Sequence, residues 1–407
     1  MQDDTLLEIG RLGARGDGIA ETAEGPRYVP FALPGERVRH RAGALPEVVS
    51  AASPERIAPL CRHFGMCGGC AGQHMRESLY ARWKRDIVVE ALRTRGLDAA
   101  VLPLQPIAPA SRRRAVITAK REQGAIVLGY HPRDSAAVFD LRECPVLMPT
   151  IVERLPALRE IAAVVAHGEV RFTVLATAPG LDIAIVSGRR IDAKQSTRLA
   201  QIAAEQRFAR LTLDGQIITQ LARPMLTLAG VEVCPPAGAF VQAVGQAEDL
   251  IVAEVAAATA KTRRAADLFC GLGTLTFRLA RTALVAAFDS DRELIAALQS
   301  AARHAKGVKP IATAIRDLFR DPLSVKELAG FDAVIFDPPR AGAKAQAQQL
   351  ARSPVPIVVA VSCNPGTLAR DVRILVDGGY RLEHVAPIDQ FVFSAHVEAI
   401  ACLRRLS

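Results

Sequence analysis

The last third of the chain contains one cysteine and one carboxylate whose surroundings suit covalent chemistry. Cys363 follows the apolar run PIVVAVS and precedes Asn-Pro-Gly, so we expect a strand to end at a turn that leaves the thiol facing a cleft. Glu398 lies in the mostly apolar run HVEAIACL, where burial would raise the pKa of its carboxyl group. A thiolate can add to an electron-poor carbon, and such a carboxylate can then remove a proton. A cysteine at a strand end is otherwise often a small core residue.

A second set of residues predicts a ligand site at the edge of a sheet. The segment DLFCGLGTLTF predicts a strand that runs into a helix through Gly271 and Gly273. The two glycines allow a sharp turn and a close approach of the backbone to a ligand. Asp289, Asp317 and Asp337 are expected at the ends of later strands, where carboxylates suit a ribose diol. The full G-x-G-x-x-G pattern and a phosphate-loop lysine are both absent. We therefore expect a nucleoside without a triphosphate, and S-adenosylmethionine fits; the alternative is a packed core with no ligand.

These two sets of residues together suit methylation of carbon 5 of uracil. That carbon is a poor nucleophile until a thiolate adds to carbon 6, and a base must afterwards remove the carbon-5 proton. The segment Asp337-Pro-Pro-Arg also resembles motifs of amino-methylating and of cytosine-methylating enzymes. The former usually have an aromatic residue after the prolines, and the latter commonly have a cysteine directly after such a proline. Arg340 argues against both alternatives.

Four further cysteines could hold a metal. Cys61, Cys67 and Cys70 lie in CRHFGMCGGC, and Cys144 is distant in the sequence. Four thiolates can bind zinc or an iron–sulfur cluster, although zinc sites more often combine two short C-x2-C knuckles. The spacing is not the C-x3-C-x2-C of radical S-adenosylmethionine chemistry, so we expect a structural role rather than a redox one.

The elements that would position these residues fall into three regions. Residues 1–58 alternate short β runs with Gly/Pro/Asp turns and predict a small barrel of five strands, of the OB type. Residues 59–235 combine a helix over 71–95 with a mixture of strands and helices. Residues 236–407 alternate strands with helices, which predicts an α/β domain with a parallel sheet. The fold class is therefore α/β with a small N-terminal β module.

The composition favours a globular protein with a polyanionic partner. The chain has 407 residues, of which 50% are hydrophobic and 23% charged, and its net charge is +9. Residues 61–150 have 14 basic against 8 acidic side chains and include Arg112-Arg113-Arg114. This triplet is either a solvated face or a contact for phosphates. No apolar run is long enough to span a membrane, and the N-terminus lacks the pattern of a leader peptide, so we expect a cytoplasmic protein with reduced cysteines.

The motifs together resemble the RNA uracil-5-methyltransferase family, specifically its iron–sulfur-containing 23S ribosomal RNA branch. The resemblance covers nearly the whole chain: the first module resembles a TRAM domain, and the four cysteines match the cysteine pattern of that branch. The segments that carry the rest of the resemblance are SRRRAV, GAFVQAV, DLFCGLGTLT, FDPPRAGA, VSCNPGTLARD and HVEAIACL.

The resemblance implies a Rossmann-like methyltransferase domain over 236–407, S-adenosylmethionine as donor, a [4Fe-4S] cluster on the four cysteines, and RNA as substrate, with no obligate protein partner. Cys363 would be the nucleophile and Glu398 the base, and Phe240 would stack on the flipped uracil. Arg112, Arg113 and Arg114 match the Arg-rich stretch of the central domain. The residues that would line the donor site are Gln242, Phe269, Thr274, Asp289, Asp317 and Asp337.

Three departures from the family pattern bear on function. Val244 stands where the F-x-Q-x-N motif has Asn, which removes hydrogen-bonding groups at or near the substrate. Thr274 and Asp317 stand where the family often has Asn. The alternatives to a 23S ribosomal RNA enzyme are a tRNA uridine-5-methyltransferase and a cluster-bearing RNA-binding protein with little catalysis. The presence of both Cys363 and Glu398 argues against an RNA-binding protein with little catalysis.

Overall fold

The computed structural model describes residues 5–40, 46–50 and 52–406. Its first part contains six short strands. They are β1 Thr5–Glu8, β2 Arg11–Leu12, β3 Gly18–Thr22, β4 Gly25–Val29, β5 Arg37–His40 and β6 Glu47–Val48. They form two three-stranded sheets, β1-β5-β6 and β2-β3-β4, around one core that includes Leu7, Ile9, Ala20, Val29 and Val38. The small N-terminal β module is therefore confirmed, and its closure into one five-stranded barrel stays a prediction. The first predicted strand divides because the N–H of Ile9 donates to Glu36 while the N–H of Gly10 donates to Ile19. Residues 44, 45 and 51 of the third predicted run lie outside the described residues.

The helix predicted over 71–95 is confirmed as α1, Glu77–Arg93. It buries Trp83, Val88 and Leu92 at helical spacing, together with the side chain of Lys84. The helix ends before Gly96, whose φ of 64° favours glycine.

The central region is built around a mainly antiparallel sheet. Its strands are β7 Arg114–Glu122, β8 Ala125–Tyr130, β9 Phe139–Asp140, β10 Val170–Thr177, β11 Gly180–Val186, β12 Arg210–Leu213 and β13 Gln216–Gln220. Its helices are α2 Pro149–Val152, α3 Leu155–Val165 and α4 Ala193–Glu205. The strand order is β13-β12-β11-β10-β7-β8-β9, and only β11 and β12 pair in parallel. Alternate residues such as Ile117, Phe172 and Ile183 pack with Leu158 of α3 and Leu199 of α4.

A hairpin and an α/β sheet follow the central region. The strands are β14 Leu226–Leu228, β15 Val231–Val233, β16 Arg264–Leu268, β17 Leu284–Asp289, β18 Ile311–Ile315, β19 Ala333–Phe336, β20 Ile357–Ser362, β21 Tyr380–Ile388 and β22 Glu398–Arg405. The helices are α5 Gly245–Ala258, α6 Thr274–Leu279, α7 Arg292–Ala302, α8 Val325–Leu328, α9 Lys344–Ala351 and α10 Pro365–Asp377. The hairpin packs on α7.

The α/β sheet has the order β18-β17-β16-β19-β20-β22-β21. Its first five strands are parallel, as predicted, but β22 runs antiparallel to both β20 and β21. The two last strands form a hairpin through residues 389–397, which explains the reversal. Because the chain proceeds from β16 to β17 on one side and returns to β19 on the other, the edge beyond β16 is a switch point where α/β sheets bind ligands.

The α/β fold with a small β-rich N-terminal part is thus confirmed, and the division of the chain at residues 58 and 235 stays a prediction. Among the described residues, no helix combines the length and the apolar character needed to cross a membrane.

Candidate active site

The glycine-rich turn after β16 forms one half of the candidate site. Phe269, Gly271 and Gly273 have φ values of 60°, 53° and 93°. At Gly273 a Cβ atom would lie 2.8 Å from the side chain of Leu298, so both conformation and space require glycine there. The N–H of Gly271 donates to Oδ2 of Asp289 at 2.9 Å, which fixes this carboxylate beside the turn. The predicted meeting of the turn with the end of β17 is therefore present in the structure.

The next strand end adds a carboxylate and an aromatic side chain. Asp317 follows β18, and its Oδ1 accepts from the N–H of Phe319 at 3.0 Å. The Phe319 ring is 47% exposed and lies 5.3 Å from the ring of Phe269. Two carboxylates next to two aromatic rings can bind the hydroxyl groups and the flat base of a nucleoside. We call Phe269, Gly271, Asp289, Asp317 and Phe319 the donor side. Phe319 was not among the predicted site residues, although it lies only two residues after Asp317 in the sequence.

Thr274 starts α6 directly after this turn, but it faces another carboxylate. Its hydroxyl donates to Oε2 of Glu248 at 3.4 Å, and the same oxygen accepts from Nη2 of Arg113 at 2.8 Å. Glu248 is buried on α5, and burial raises the pKa of its carboxyl group despite the guanidinium beside it. Thr274 thus joins the turn to α5, and Glu248 is a further residue that sequence reasoning missed.

Cys363 lies directly after β20 and is half-buried, as the sequence predicted. The next residue, Asn364, caps α10 by accepting from the N–H groups of Gly366 and Thr367. Burial and the nearby Glu398 raise the pKa of the Cys363 thiol, whereas the positive charge of the nearby Arg340 guanidinium lowers it. Arg340 is therefore in position to stabilise a thiolate.

Arg340 itself is held by the strand ends around it. Its Nη2 lies 2.8 Å from Nε2 of His396, and its carbonyl oxygen accepts from Nδ2 of Asn364 at 3.2 Å and from the hydroxyl of Thr367 at 3.3 Å. The sequence analysis used Arg340 only to exclude other chemistries. Its contact with Cys363 depends on the sheet and has no local signal in the sequence.

Glu398 begins β22 and is only 2% exposed. Its Oε2 accepts from Nε2 of Gln390 at 2.7 Å, and the same nitrogen donates to Oε1 of Gln242 at 2.8 Å. Nε2 of Gln242 in turn donates to Oδ2 of Asp337 at 2.9 Å. Two amides thus connect two carboxylates, and Gln390 is the member that sequence reasoning did not identify.

The carboxylates of this chain are poorly solvated. Burial raises the pKa of Glu398 well above its ordinary value, and the charge of Asp337 raises it further. Burial also raises the pKa of Asp337, to about 7. Oε1 of Glu398 is buried without a hydrogen-bond partner, so it is free to accept a proton. Cys363, Arg340, Asp337, Gln242, Gln390 and Glu398 form what we call the nucleophile side.

Phe240 and the arginine triplet lie on the segment that leads into Gln242. Phe240 is 65% exposed, and the guanidinium of Arg114 lies 5.4 Å from its ring centre. The Nε groups of Arg113 and Arg114 donate to the carbonyl oxygens of Gln242 and Ala239 at 3.1 and 3.0 Å.

The interpretation of the triplet as a solvated face is wrong for Arg113, whose side chain is 13% exposed and ion-paired with Glu248. This pairing also argues against a phosphate contact for Arg113, because its donors are already engaged. Arg112 and Arg114 are half-buried, and a contact with phosphate stays a prediction for them.

Val244 is 1% exposed and packs with Ile107, Ala247 and Ile251. It stands at the N-cap of α5 and gives that helix no side-chain cap. The valine therefore gives apolar packing at the position where a polar side chain could cap the helix. Its effect on substrate choice or rate stays a prediction.

The four cysteines of the predicted cluster come together from two parts of the chain. Cys61 and Cys67 are buried, Cys70 and Cys144 are half-buried, and the pKa of Cys70 is raised to about 12, first by burial and further by the thiols of the other three. Backbone N–H groups at Val146 and Leu147 are directed at the sulfur of Cys144, as around metal-bound thiolates.

The spacing of the four thiols also bears on the metal. In the described part of the chain, three potential metal-ligating atoms lie within 4.8 Å of one another only at Glu254, His384 and Cys402, so no three of the four cysteines are that close. Tetrahedral zinc, with Zn–S near ~2.3 Å, would bring its thiolates within about 4 Å of each other. Which group the four thiols hold therefore stays a prediction.

Comparisons with known proteins place this fold and site in a class. The solved structure of Pyrococcus abyssi tRNA (uracil-54, C5)-methyltransferase with S-adenosyl-L-homocysteine superposes with a TM-score of 0.76 over 98% of this chain and 99% of that one, at 24% identity. The likeness shows that the two chains share a fold. The sequence model of the family described as tRNA (Uracil-5-)-methyltransferase matches residues 236–406.

Relatives in sequence cover the whole chain. An uncharacterised RNA methyltransferase of Brucella suis biovar 1 is 46% identical over 98% of this chain and 97% of its own length. The 23S rRNA (uracil(1939)-C(5))-methyltransferase RlmD of Chromohalobacter salexigens is 33% identical over 98% of this chain and 89% of its own length. The chain belongs to the RNA uracil-C5-methyltransferase family, which confirms the resemblance and the predicted class of enzyme.

Proposed function

We propose that this enzyme methylates carbon 5 of a uracil in 23S ribosomal RNA, with S-adenosylmethionine as the donor. The observation that carries the proposal is the placement of the Cys363 thiol, at the end of β20, near the guanidinium of Arg340 and the buried carboxylate of Glu398, at the sheet edge next to the donor side. The 33% identity to a 23S ribosomal RNA enzyme over 98% of this chain supports 23S ribosomal RNA as the substrate.

The donor side fits this methyl donor. Asp289 offers a carboxylate for ribose hydroxyls, and Asp317 lies beside the exposed ring of Phe319, on which adenine can stack. The donor supplies an electrophilic methyl group on a sulfonium. Gln242 and Asp337, which belong to the nucleophile side, would orient the methyl group toward the uracil.

The nucleophile side supplies the remaining steps. The Cys363 thiol releases its proton to solvent, and Arg340 stabilises the resulting thiolate. The sulfur bonds to carbon 6 of uracil, and the electron pair of the 5,6 double bond moves to carbon 5. Carbon 5 attacks the methyl group, the bond from that group to the donor sulfur breaks, and S-adenosylhomocysteine leaves as a neutral thioether. Glu398 then takes the carbon-5 proton, the double bond re-forms, and the sulfur leaves as thiolate. A carboxylate with raised pKa is well suited to accept that proton.

Phe240 and its neighbours would hold the RNA. An exposed aromatic ring flanked by a guanidinium can stack on a base that has left its helix. Arg112 and Arg114 would contribute phosphate contacts.

Two substitutions test the assignment of catalytic roles. Cys363→Ala should abolish both methylation and covalent attachment to RNA. Glu398→Gln should lower turnover by about 10²–10⁴-fold, yet still allow attack and methyl transfer. It should therefore accumulate a denaturant-resistant protein–RNA species that carries labelled methyl. Cys234→Ala, which alters a cysteine outside the site, is the matched control.

The outcomes separate the proposal from its alternatives. Methylation by Cys363→Ala, or normal turnover by Glu398→Gln, would contradict the assigned roles. Methylation of tRNA but not of 23S ribosomal RNA transcripts would favour the tRNA enzyme. RNA binding without any methyl transfer by the wild-type protein would favour the RNA-binding alternative.

We also propose a structural [4Fe-4S] cluster on Cys61, Cys67, Cys70 and Cys144. The four thiols support it because they come from two parts of the chain and lie near enough for Cys61, Cys67 and Cys144 each to raise the pKa of Cys70. Protein purified without oxygen should contain about four irons per chain, and Cys67→Ser should lose them, whereas Cys234→Ala should not. One zinc and no iron in the wild-type protein would contradict the cluster.

A further inference from the structure

A second set of metal-ligating side chains lies away from the active site, where α5 packs on the last two strands. His384 of β21 and Cys402 of β22 are paired across the antiparallel ladder, and Glu254 lies on α5. Nε2 of His384 is 2.5 Å from Oε1 of Glu254, and all three ligand atoms lie within 4.8 Å of one another. Three elements therefore bring an oxygen, a nitrogen and a sulfur to one point.

The burial of the three side chains gives this point one open side. Cys402 is 2% exposed, whereas the side chains of His384 and Glu254 are 28% and 27% exposed. The sulfur thus forms the floor, and the imidazole and carboxylate form the rim. A cation can enter from solvent and keep a water molecule in its fourth position.

The neighbouring charges leave the three groups available. Glu383 is the nearest further carboxylate on β21, but it pairs with Arg381 at 3.3 Å and with Arg404 at 3.0 Å. The carboxylate of Glu383 is therefore engaged by these two guanidinium groups and not by His384 or Cys402. The pair of Glu254 and His384 alone would be an ordinary ion pair; a buried thiol at the same point is what distinguishes a ligand set.

We propose that Glu254, His384 and Cys402 bind one zinc ion. A carboxylate, an imidazole and a thiolate form a borderline donor set that suits zinc and excludes magnesium and calcium, which prefer oxygen alone. On binding, the Cys402 thiol releases its proton to solvent and the thiolate and imidazole become ligands. This assignment does not depend on the proposed substrate or on the four-cysteine cluster.

The ion would connect α5 to the strand that carries the base. Glu398 and Cys402 are both on β22, four residues apart, and their side chains point to the same face because strand residues alternate. At about 3.4 Å per residue the two positions are ~14 Å apart. The ion would therefore stabilise β22 against α5, near enough to support the active site but too far to touch the reacting atoms.

The test measures zinc and iron in each variant of the full chain, purified without oxygen and then titrated with zinc alone. Wild-type protein should take up one zinc beyond its cluster metal. His384→Gln and Cys402→Ala should each weaken this binding by more than about 100-fold, since even outer-shell partners are worth about 10–100-fold. Glu254→Gln, at a partly exposed position, should weaken it as well, and the iron content should not change.

Cys234→Ala is the control for loss of a cysteine elsewhere, and thermal unfolding confirms that each variant is folded. Substitution with cobalt(II) adds a spectroscopic readout, because a band from one thiolate should be present in wild-type protein and absent in Cys402→Ala. Equal zinc uptake by wild type, His384→Gln and Cys402→Ala would overturn the proposal. So would zinc that is lost with Cys67→Ser but kept with Cys402→Ala.

Discussion

The donor side and the nucleophile side lie at one sheet edge, but the surroundings of their carboxyl groups differ. Asp289 accepts hydrogen bonds from the backbone N–H groups of Gly271 and Asp291, and Asp317 accepts one from that of Phe319. Asp337 and Glu398 have amide side chains as partners, and burial raises the pKa of both. Carboxylates fixed by backbone N–H groups suit the binding of hydroxyl groups, whereas poorly solvated acids suit proton transfer, so the difference in environment matches a difference in task.

The two sides also differ in what fixes them. The donor side is set by a local turn with positive φ values at Phe269, Gly271 and Gly273. The nucleophile side depends on the segment 389–397, which is held by a residue from α1. The ammonium group of Lys84 pairs with Asp389 at 2.8 Å and donates to the carbonyl oxygens of Phe391, Ser394 and His396.

The largest effect is expected from Lys84→Met, which removes the ammonium group that holds segment 389–397. Lys84 is fully buried, and its loss would leave the buried Asp389 carboxylate without its cationic partner, with only the hydroxyl of Tyr80 still donating to it. We expect a decrease in the free energy of unfolding of about 3–5 kcal/mol in denaturant titrations. Lys120→Met, which removes an exposed pair with Glu122, should cost at most about 1 kcal/mol. Equal losses in the two variants would show that Lys84 does not hold the segment.

A pH effect is expected at Asp267, which lies in β16 beneath the donor side. Burial raises the pKa of this carboxyl group to about 7, and its Oδ2 accepts from Thr276 at 2.5 Å. Because the folded protein keeps the proton longer than the unfolded chain, the stability from this group is fully present below pH ~4 and is lost as pH rises to about 7. The loss is roughly 4 kcal/mol at most.

Denaturant unfolding between pH 4 and 8 measures this effect. Asp267→Asn keeps the hydrogen bond to Thr276 but cannot titrate, so the stability of this variant should fall less steeply with pH than that of the wild type. Parallel curves for the two proteins would contradict the raised pKa.

The nucleophile side can be weakened separately through Gln390→Leu. This substitution removes the nitrogen that connects Gln242 to Glu398. We expect kcat to fall by about 10²–10³-fold, as for other lost donors at a reacting centre, with the KM for the methyl donor unchanged. A rise in that KM alone would place Gln390 with the donor side instead.

The smallest effect is expected from Asp289→Asn on the donor side. An asparagine oxygen can still accept from Gly271, but the charge that strengthens a bond to a ribose hydroxyl is lost. The KM for the donor should rise about 10-fold, which corresponds to ~1.4 kcal/mol, while kcat is kept. Asp249→Asn, an exposed carboxylate on α5, is the control and should leave both constants unchanged.

What the sequence could predict depended on how local each feature is. The turn at Gly271 and Gly273 and the position of Cys363 after a strand follow from short motifs, and the structure contains both. Gln390 lies 148 residues from its partner Gln242, and Lys84 lies 307 residues from Phe391. No periodicity or spacing indicates such pairs, because they form only when separate sheets and helices pack together.

The position of Arg113 was missed for a physical reason of the same kind. It was expected on the surface because a triplet of arginines resembles a charged face, whereas Glu248, 135 residues away, accepts a hydrogen bond from its guanidinium inside the protein. The bend of the first strand was equally hidden, because a run of β-forming residues does not reveal that Ile9 and Gly10 bond to different partners.

The anchoring of segment 389–397 by Lys84 limits how this enzyme can be divided or recombined. A gene fragment that began after residue 235 would encode every residue of the proposed chemistry but not the helix that holds the catalytic segment in place. Engineers who wish to attach this catalytic unit to another RNA-binding module would have to transplant α1 as well, or redesign Asp389 and its surroundings as an apolar contact. The catalytic motifs thus occupy one continuous part of the sequence, but the working enzyme also needs a helix from outside that part.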